Sequence, residues 1–416
     1  MSVLAGSKRK AAIAFILITA ALDIISMGII IPVWPILIED FTGSNAEAGW
    51  YNGLFVALWA LMQFVCSPIM GSLSDRYGRR PVILLSTLGL AADYVLMALA
   101  PNLWWLAAGR IVAGITSSSF TTAFAYMADI TPPEGRARAY GLIGAAFSGG
   151  FVLGPVIGGF LGEISPRAPF WTAAAMSGLA FLYGLLVLPE SLAAEKRMNF
   201  SWKRANPFGA MVLLRSHPEL FGLAGVNFLL YFAHHVFSAV FVLYAGYRYG
   251  WGPWQVGAVL ALVGVLDMIA QGVVVGPLVK RFSDRAVMVF GLFGGSVGIA
   301  CMGLAPDWIT FTLAMLPNAL WGLAMPTLQS LMTRHVSESE QGQLQGANMS
   351  LASIAGVLSP LFFGWVYSHS IYDGAPVWLS GLSLLIASGV LLSAAILGWW
   401  VARRAGSAEA VQQPAV

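Results

Sequence analysis

Charged side chains make up only 10% of these 416 residues, against about 25% in an ordinary soluble domain. With 58% of the chain hydrophobic, that scarcity excludes a soluble globule. The net charge of +3 gives no broad basic surface, so nucleic acid is not an expected partner. The two cysteines, Cys66 and Cys301, fall in separate apolar stretches and offer no disulfide framework. Also absent are an HExxH pair, a GxxxxGK[ST] loop and any Cys/His cluster, which removes the signals for a zinc protease or an ATPase. No metal site, no protein-bound cofactor and no enzymatic activity are therefore expected. The start, MSVLAGSKRK, has no signal-peptide cleavage pattern, so the apolar run after it is expected to stay as a first helix.

What the chain does contain is long apolar runs. A membrane helix needs about 20 mostly apolar residues. Twelve candidates emerge: 11–37, 47–70, 81–100, 103–128, 137–162, 168–188, 218–247, 253–279, 286–305, 308–333, 342–367 and 377–402. The expected fold is an all-α membrane protein of 12 transmembrane helices. Residues 1–188 and 217–404 would form two six-helix bundles, joined by a cytoplasmic linker at 189–216 and followed by a disordered cytoplasmic tail at 405–416. The linker is expected to hold a short interfacial amphipathic piece around 207–215. Of 22 Lys and Arg residues, 19 fall on one set of alternating loops and only Arg167 and Arg248 on the other. Basic loops mark the cytoplasmic side, so both termini are expected there.

Two segments repeat at an offset of 205 residues. The stretch GSLSDRYGRR at 71–80 returns as GPLVKRFSDR at 276–285, with Gly71/Gly276, Arg76/Arg281, Tyr77/Phe282 and Arg80/Arg285 in register. Each is a basic turn between two apolar runs, at a membrane surface. The stretch GGFVLGPVIGG at 149–159 returns as IAGVLSPLFFG at 354–364, where Pro155 meets Pro360 and Gly159 meets Gly364. Glycine lets membrane helices approach, and proline interrupts a backbone that neighbours can satisfy. Gly150, Gly154, Pro155, Gly158 and Gly159 are then either tight packing or part of a moving interface. A duplication at half the chain length is the build of a transporter.

Ionisable groups at membrane depth are costly and thus functional candidates. Asp23, Asp93, Arg110 and Asp267 qualify, with Gln271 one turn beyond Asp267 on the same face. Arg110 could instead neutralise one aspartate in a static pair. Three acids against one arginine still leave at least two without an intramembrane cation, which suits proton coupling with a cationic or zwitterionic substrate. The adjacent His234 and His235 point in different directions on a helix, one toward a cavity and the other toward a structural partner. Asn227 and Tyr231, four apart, could line the same cavity, and Gln63 is a weaker candidate. The Asn348 sequon sits at a helix end on the cytoplasmic side and is set aside.

These residues resemble the major facilitator superfamily along the whole chain. The 71–80 stretch is similar to its signature loop between helices two and three. AAGRIVAGIT at 107–116 is similar to its helix-four motif, and GGFVLGPVIGG to its antiporter motif in helix five. Within the superfamily the likeness is to tetracycline/proton antiporters, carried by LDIISMGIIIPVWP, GSLSDRYGRRPVILLS, DYVLMALAP, GEISPRAPF and QGQLQGANMSL. The resemblance implies transport roles for Asp23, Asp93, Arg110 and Gln271. It implies a cytoplasmic gate of Gly71, Asp75, Arg76, Gly78, Arg79 and Arg80 with Asp129, and the second copy predicts a weaker latch in the C-terminal half. Two departures stand out: Gly295 occupies the place of the family's helix-nine aspartate, and Asp267 that of a common helix-eight histidine.

The expected function is proton-coupled export of a drug-like amphiphile, tetracycline or a related compound, by alternating access about a midplane site. Tetracycline would bring a divalent cation such as Mg as part of the substrate. The setting would be the bacterial cytoplasmic (inner) membrane, with small molecules, protons and the bilayer as partners and a monomer as the working unit. Another metabolite or a sugar as cargo, or a non-transporting receptor, are the alternatives.

Overall fold

The computed structural model describes residues 6–117, 119–200, 209–215, 218–337, 340–372 and 374–412. Apolar segments that must satisfy every backbone group internally have helices as their simplest solution, and the described regular structure is helical. The N-terminal half runs α1 (Gly6–Ile30), α2 (Trp34–Thr42), α3 (Asn45–Tyr77), α4 (Arg79–Leu99), α5 (Leu103–Thr116), α6 (Ser119–Ile130), α7 (Pro133–Ile164) and α8 (Ala168–Val187). The second half runs α9 (Pro218–Tyr249), α10 (Pro253–Ile269), a π turn (Ala270–Val274), α11 (Val275–Arg281), α12 (Asp284–Leu304) and α13 (Trp308–Ala319). A 3-10 turn (Leu320–Leu323), α14 (Ala324–Thr333), α15 (Gln341–Ser370), a second 3-10 turn (Val377–Gly381) and α16 (Leu382–Gln412) complete it.

Among the described residues, eleven segments are long and apolar enough to cross a membrane. The expected fourth span is instead drawn as two helices, α5 and α6, with residue 118 outside the described ones. The expected 71–80 loop is corrected as well. Helix α3 continues to Tyr77, and the chain turns at Gly78 alone, at φ +108°. Its copy turns at Phe282 and Ser283, and Ser283 is the one described non-glycine residue at positive φ, +138°. The first apolar run is interrupted by a turn at 31–33. In the linker, a short 3-10 helix (Gly209–Arg215) covers the described part of the expected amphipathic piece. Helix α16 continues to Gln412, into the expected tail, while residues 413–416 lie outside the described ones.

Contacts divide the chain into two compact units. One comprises Met1–Ser44, Leu58–Asn206 and Trp251–Gly264; the other comprises Asn45–Ala57, Pro207–Gly250 and Val265–Val416. The duplication is visible in the caps. Asn102 Oδ1 accepts from Trp104 N at 3.1 Å at the start of α5, and at the same offset Asp307 Oδ1 accepts from Thr310 N at 2.8 Å at the start of α13. Such caps satisfy amides that a helix start leaves open.

The helix-five motif uses two faces of α7 within the first unit. Gly150, Gly154 and Gly158 face α1, where a Cβ at Gly154 would lie 2.7 Å from Gly28 Cα and one at Gly150 2.8 Å from Ile24. Pro155 and Gly159 face α10 instead: a Cβ at Gly257 would overlap the Pro155 carbonyl, and one at Gly159 would lie 2.6 Å from Pro253 O. The second unit repeats the second face, with Gly53 of α3 against Pro360 and Gly364 of α15.

Candidate transport site

Asp93 lies two-thirds of the way along α4 and is 0% exposed. Arg110 of α5 donates from Nη2 to Asp93 Oδ2 at 2.8 Å, touches Met97 Sδ at 3.0 Å, and lies over the Trp34 ring at 4.6 Å. The two helices come close because Gly109, next to Arg110, has no Cβ; one there would lie 2.5 Å from Asp93 Oδ1. Asp93 Oδ1 and Arg110 Nε have no hydrogen-bond partner among the described residues. Asp23 is buried on α1 of the same unit, 4% exposed. The buried Tyr94 phenol lies within electrostatic reach of Asp93, Arg110 and Asp23. Gln63 is half-buried on α3, where Gly114 lets α5 pack against its backbone.

In the second unit Asp267 lies in the last turn of α10, which ends at Ile269, just before the π turn that carries Gln271. π turns widen a helix by one residue per turn and are frequent at functional sites. Asp267 is half-buried, and no hydrogen bond or ion pair joins it to another described residue. Gly322 faces it from the 3-10 turn: a Cβ there would lie 3.2 Å from Asp267 Oδ1 and 3.8 Å from Gln271 Cγ. The neighbouring Trp321 meets the exposed His234 ring edge-on at 5.5 Å and Phe237 at 6.4 Å. His235 is half-buried beside His234. Asn227 donates to Asn348 Oδ1 at 3.3 Å, and Asn348 donates in turn to Gln329 Oε1 at 3.2 Å.

At the turn between α3 and α4, Arg79 is the hub. It pairs with Asp75 at 2.5 Å and with Asp129 at 3.2 Å, and donates to Ser74 Oγ at 2.7 Å. Glu190, just after α8, accepts from the amides of Arg79 at 2.8 Å and Arg80 at 3.3 Å, and from those of Ser191 and Leu192. A carboxylate here meets the positive end of the helix as well as its open amides. Ser191 Oγ donates to Asp129 at 3.0 Å, and Arg80 reaches the Leu185 carbonyl at 2.8 Å. Arg76 stands apart, exposed over the Tyr77 ring, and nothing lies near the Cα face of Gly71 where a Cβ would go.

The family model described as Major Facilitator Superfamily matches residues 16–360 and 223–415. The chain belongs to the Major Facilitator Superfamily. It is a multi-pass membrane protein, of a superfamily whose transporters act on small molecules. It is 39% identical over 396 residues to the tetracycline resistance protein, class C, of Escherichia coli, covering 94% of this chain and 98% of that one. It is 38% identical to the class G protein of Vibrio anguillarum, covering 91% and 96%. Among solved structures, a bacterial homolog of the human lysosomal transporter Spinster superposes with a TM-score of 0.79 at 18% identity, over 96% of this chain and 98% of that one, which bears on the fold alone.

Against this superfamily fold, the sequence reading brought some residues together and overlooked others. Asp93 with Arg110, Asp267 with Gln271, and Asp75 with Arg79 and Asp129 are each joined within one unit. The reading passed over Trp34, Glu190, Ser191, Trp321, Gly322 and Gln329. For Glu190 a signal existed in the Pro-Glu-Ser step that ends the sixth apolar run. Trp321 and Gly322 carried none, since an apolar residue and a glycine inside an apolar run are indistinguishable from packing. Gly295 is not an open place in the fold. A Cβ there would lie 2.8 Å from Trp321 Cβ and 2.9 Å from Leu391 Cδ2.

Proposed function

We propose that this protein exports an amphiphilic drug, tetracycline or a related compound, in exchange for protons by alternating access. The observation that carries the proposal is Asp267, a carboxylate within an apolar span that pairs with no described cation. A carboxylate at that depth must be neutralised, by a proton or by a cationic partner. One group that accepts either couples the two. Asp93 is different, because Arg110 already neutralises it at 2.8 Å, and that pair holds α4 to α5 while Asp23 contributes a further acid nearby. The tetracycline resistance relatives, matched over nearly the whole chain at 39% and 38%, support the drug class.

Helices α5 and α6 together make one crossing in this reading, which brings the count to twelve. The excess of Lys and Arg on one set of loops supports cytoplasmic termini in a bacterial cytoplasmic membrane. The 205-residue repeat supports two six-helix bundles, 1–188 and 217–404, that rock to expose a substrate to either side in turn. Protonation supplies the differential affinity that such a cycle needs. Tetracycline would travel with a divalent cation such as Mg as cargo, no cofactor is assigned, and the monomer is the working unit.

Drug accumulation in bacteria expressing the protein tests this. The wild type should lower accumulated tetracycline, an uncoupler should abolish the effect, and Asp23→Asn or Asp267→Asn should remove it at unchanged membrane abundance. Full activity in both variants would sink the acid-coupling mechanism, and a metabolite or sugar cargo would leave accumulation untouched.

A further inference from the structure

The π turn at Ala270–Val274 and the 3-10 turn at Leu320–Leu323 pack on one another within the second unit. Two helices lose their regular pitch at the same place, and the residue between them is a glycine. The space over Gly322 is bounded by Asp267 Oδ1 and Ala270 Cβ, each 3.2 Å from where a Cβ would stand, and by Gln271 Cγ at 3.8 Å. Alanine would bring its methyl against the carboxylate, so that Asp267 would have to shift by a few tenths of an ångström. The Gln271 carboxamide is exposed and offers both a donor and an acceptor. The indole of Trp321, the neighbouring residue, meets the His234 ring at 5.5 Å and the Phe237 ring at 6.4 Å.

We propose that Gly322 determines substrate specificity by keeping the approach to Asp267 open for a protonated amine. The ligand class is an amphiphile with an ammonium group, its charge on Asp267, its polar neighbours on Gln271 and its apolar body along the aromatic cluster of Trp321, His234 and Phe237. Carboxylate and aromatic side chains together are the chemistry that recognises an ammonium ion. Acyl chains at that depth carry no charge, and no described residue pairs with Asp267. The inference rests on the transport reading above and adds to it which substrates are chosen and by which residue.

The test compares two substrates with one ring system, a tertiary amine and its neutral amide counterpart, in proteoliposomes of the full chain. For the wild type, the amine should have the lower KM. Gly322→Ala should raise the amine KM by about tenfold or more, the scale of a lost charged contact, and leave the amide KM unchanged. Asp267→Asn, which is nearly isosteric but is expected not to transport, is read by equilibrium binding to the purified full chain: it should erase the tighter binding of the amine over the amide, and serves as the second variant should Gly322→Ala not fold. Equal changes for both substrates, or none in either variant, would overturn the inference while leaving transport intact. Transport of neither substrate by the wild type would overturn the transport reading itself, and this inference with it.

Discussion

Arg334 pairs with Asp284, and the two stand 205 residues beyond Asp129 and Arg79, which also pair, with the charges exchanged. In the first unit the cation sits at the start of α4 and the anion at the end of α6. In the second the anion starts α12 and the cation follows α14. The exchange has a local reason. Glu190 serves the open amides and positive end of α4, so position 79 is free to be basic. Helix α12 instead carries its own acid at position 284, favoured at a helix start. Asp284 also accepts from Ser330 Oγ at 2.8 Å. The second half thus has an ion pair of its own at the matching place, of opposite polarity.

That polarity predicts a charge-swap result. The side chain of Asp284 is 5% exposed and that of Arg334 65% exposed. Arg334→Asp should therefore destabilise by more than an exposed pair is worth, about 1 kcal/mol, because a buried acid then faces a second acid. Asp284→Arg/Arg334→Asp should recover most of the loss. Thermal unfolding in detergent of the single and double variants measures it. Additive losses in the double variant would mean that the pair contributes nothing.

The two turns predict opposite effects of exchanging glycine and serine chemistry. Ser283 is held at φ +138° and ψ +152°, a region close to glycine-only that costs about 1–3 kcal/mol for other residues. Its hydroxyl accepts from Ala286 N at 3.3 Å, a cap whose loss to glycine costs only a few tenths of a kcal/mol. Ser283→Gly should raise the unfolding temperature. Gly78→Ala should lower it by several degrees, since its Cβ would overlap the Glu190 carboxylate at φ +108°.

Removing one member of the Asp93–Arg110 pair should cost about 3–5 kcal/mol, the scale for an uncompensated buried charge. Arg110→Ala should reduce folded protein in the membrane more than Asp93→Asn/Arg110→Gln, which removes both charges at similar volume. Abundance and unfolding temperature of the two variants decide the ranking. Trp34 should report the same event, because the guanidinium over its ring at 4.6 Å is lost in both.

Putting an acid into α12 should fail. Gly295→Asp would press its Cβ against Trp321 and Leu391, and overpacking of this kind costs about 1–3 kcal/mol. The expected result is a lower unfolding temperature and no gain in export. Gly295→Asp with Trp321→Ala should not regain stability, since alanine keeps the Trp321 Cβ and Leu391 Cδ2 stays in place, the two atoms nearest the added Cβ.

Membrane class, the duplication and the buried charges were legible because each leaves a mark that apolar sequence cannot hide. Asp23, Asp93, Arg110 and Asp267 are conspicuous among aliphatic neighbours. The interrupted helices were not legible, since LWGL and AQGVV lie inside apolar spans whose overall hydropathy says nothing of pitch. The loop at 71–80 was misjudged for the opposite reason. Polar residues can extend a helix beyond its apolar span, and only the positive φ of Gly78 ends α3. Glu190 was missed because all its described partners are backbone amides, those of Arg79 and Arg80 more than 100 positions earlier in the chain, which no side-chain pattern reveals.

The central claim is that substrate and protons move in opposite directions through the same chain. Tetracycline flux into proteoliposomes of the purified full chain, with an acidic lumen and a neutral exterior, tests it directly, with lumenal pH followed by a trapped dye. The account predicts uptake that needs the gradient, alkalinises the lumen as substrate enters, and disappears in Asp267→Asn. Equal uptake with and without the gradient, or uptake with no change in lumenal pH, would contradict it.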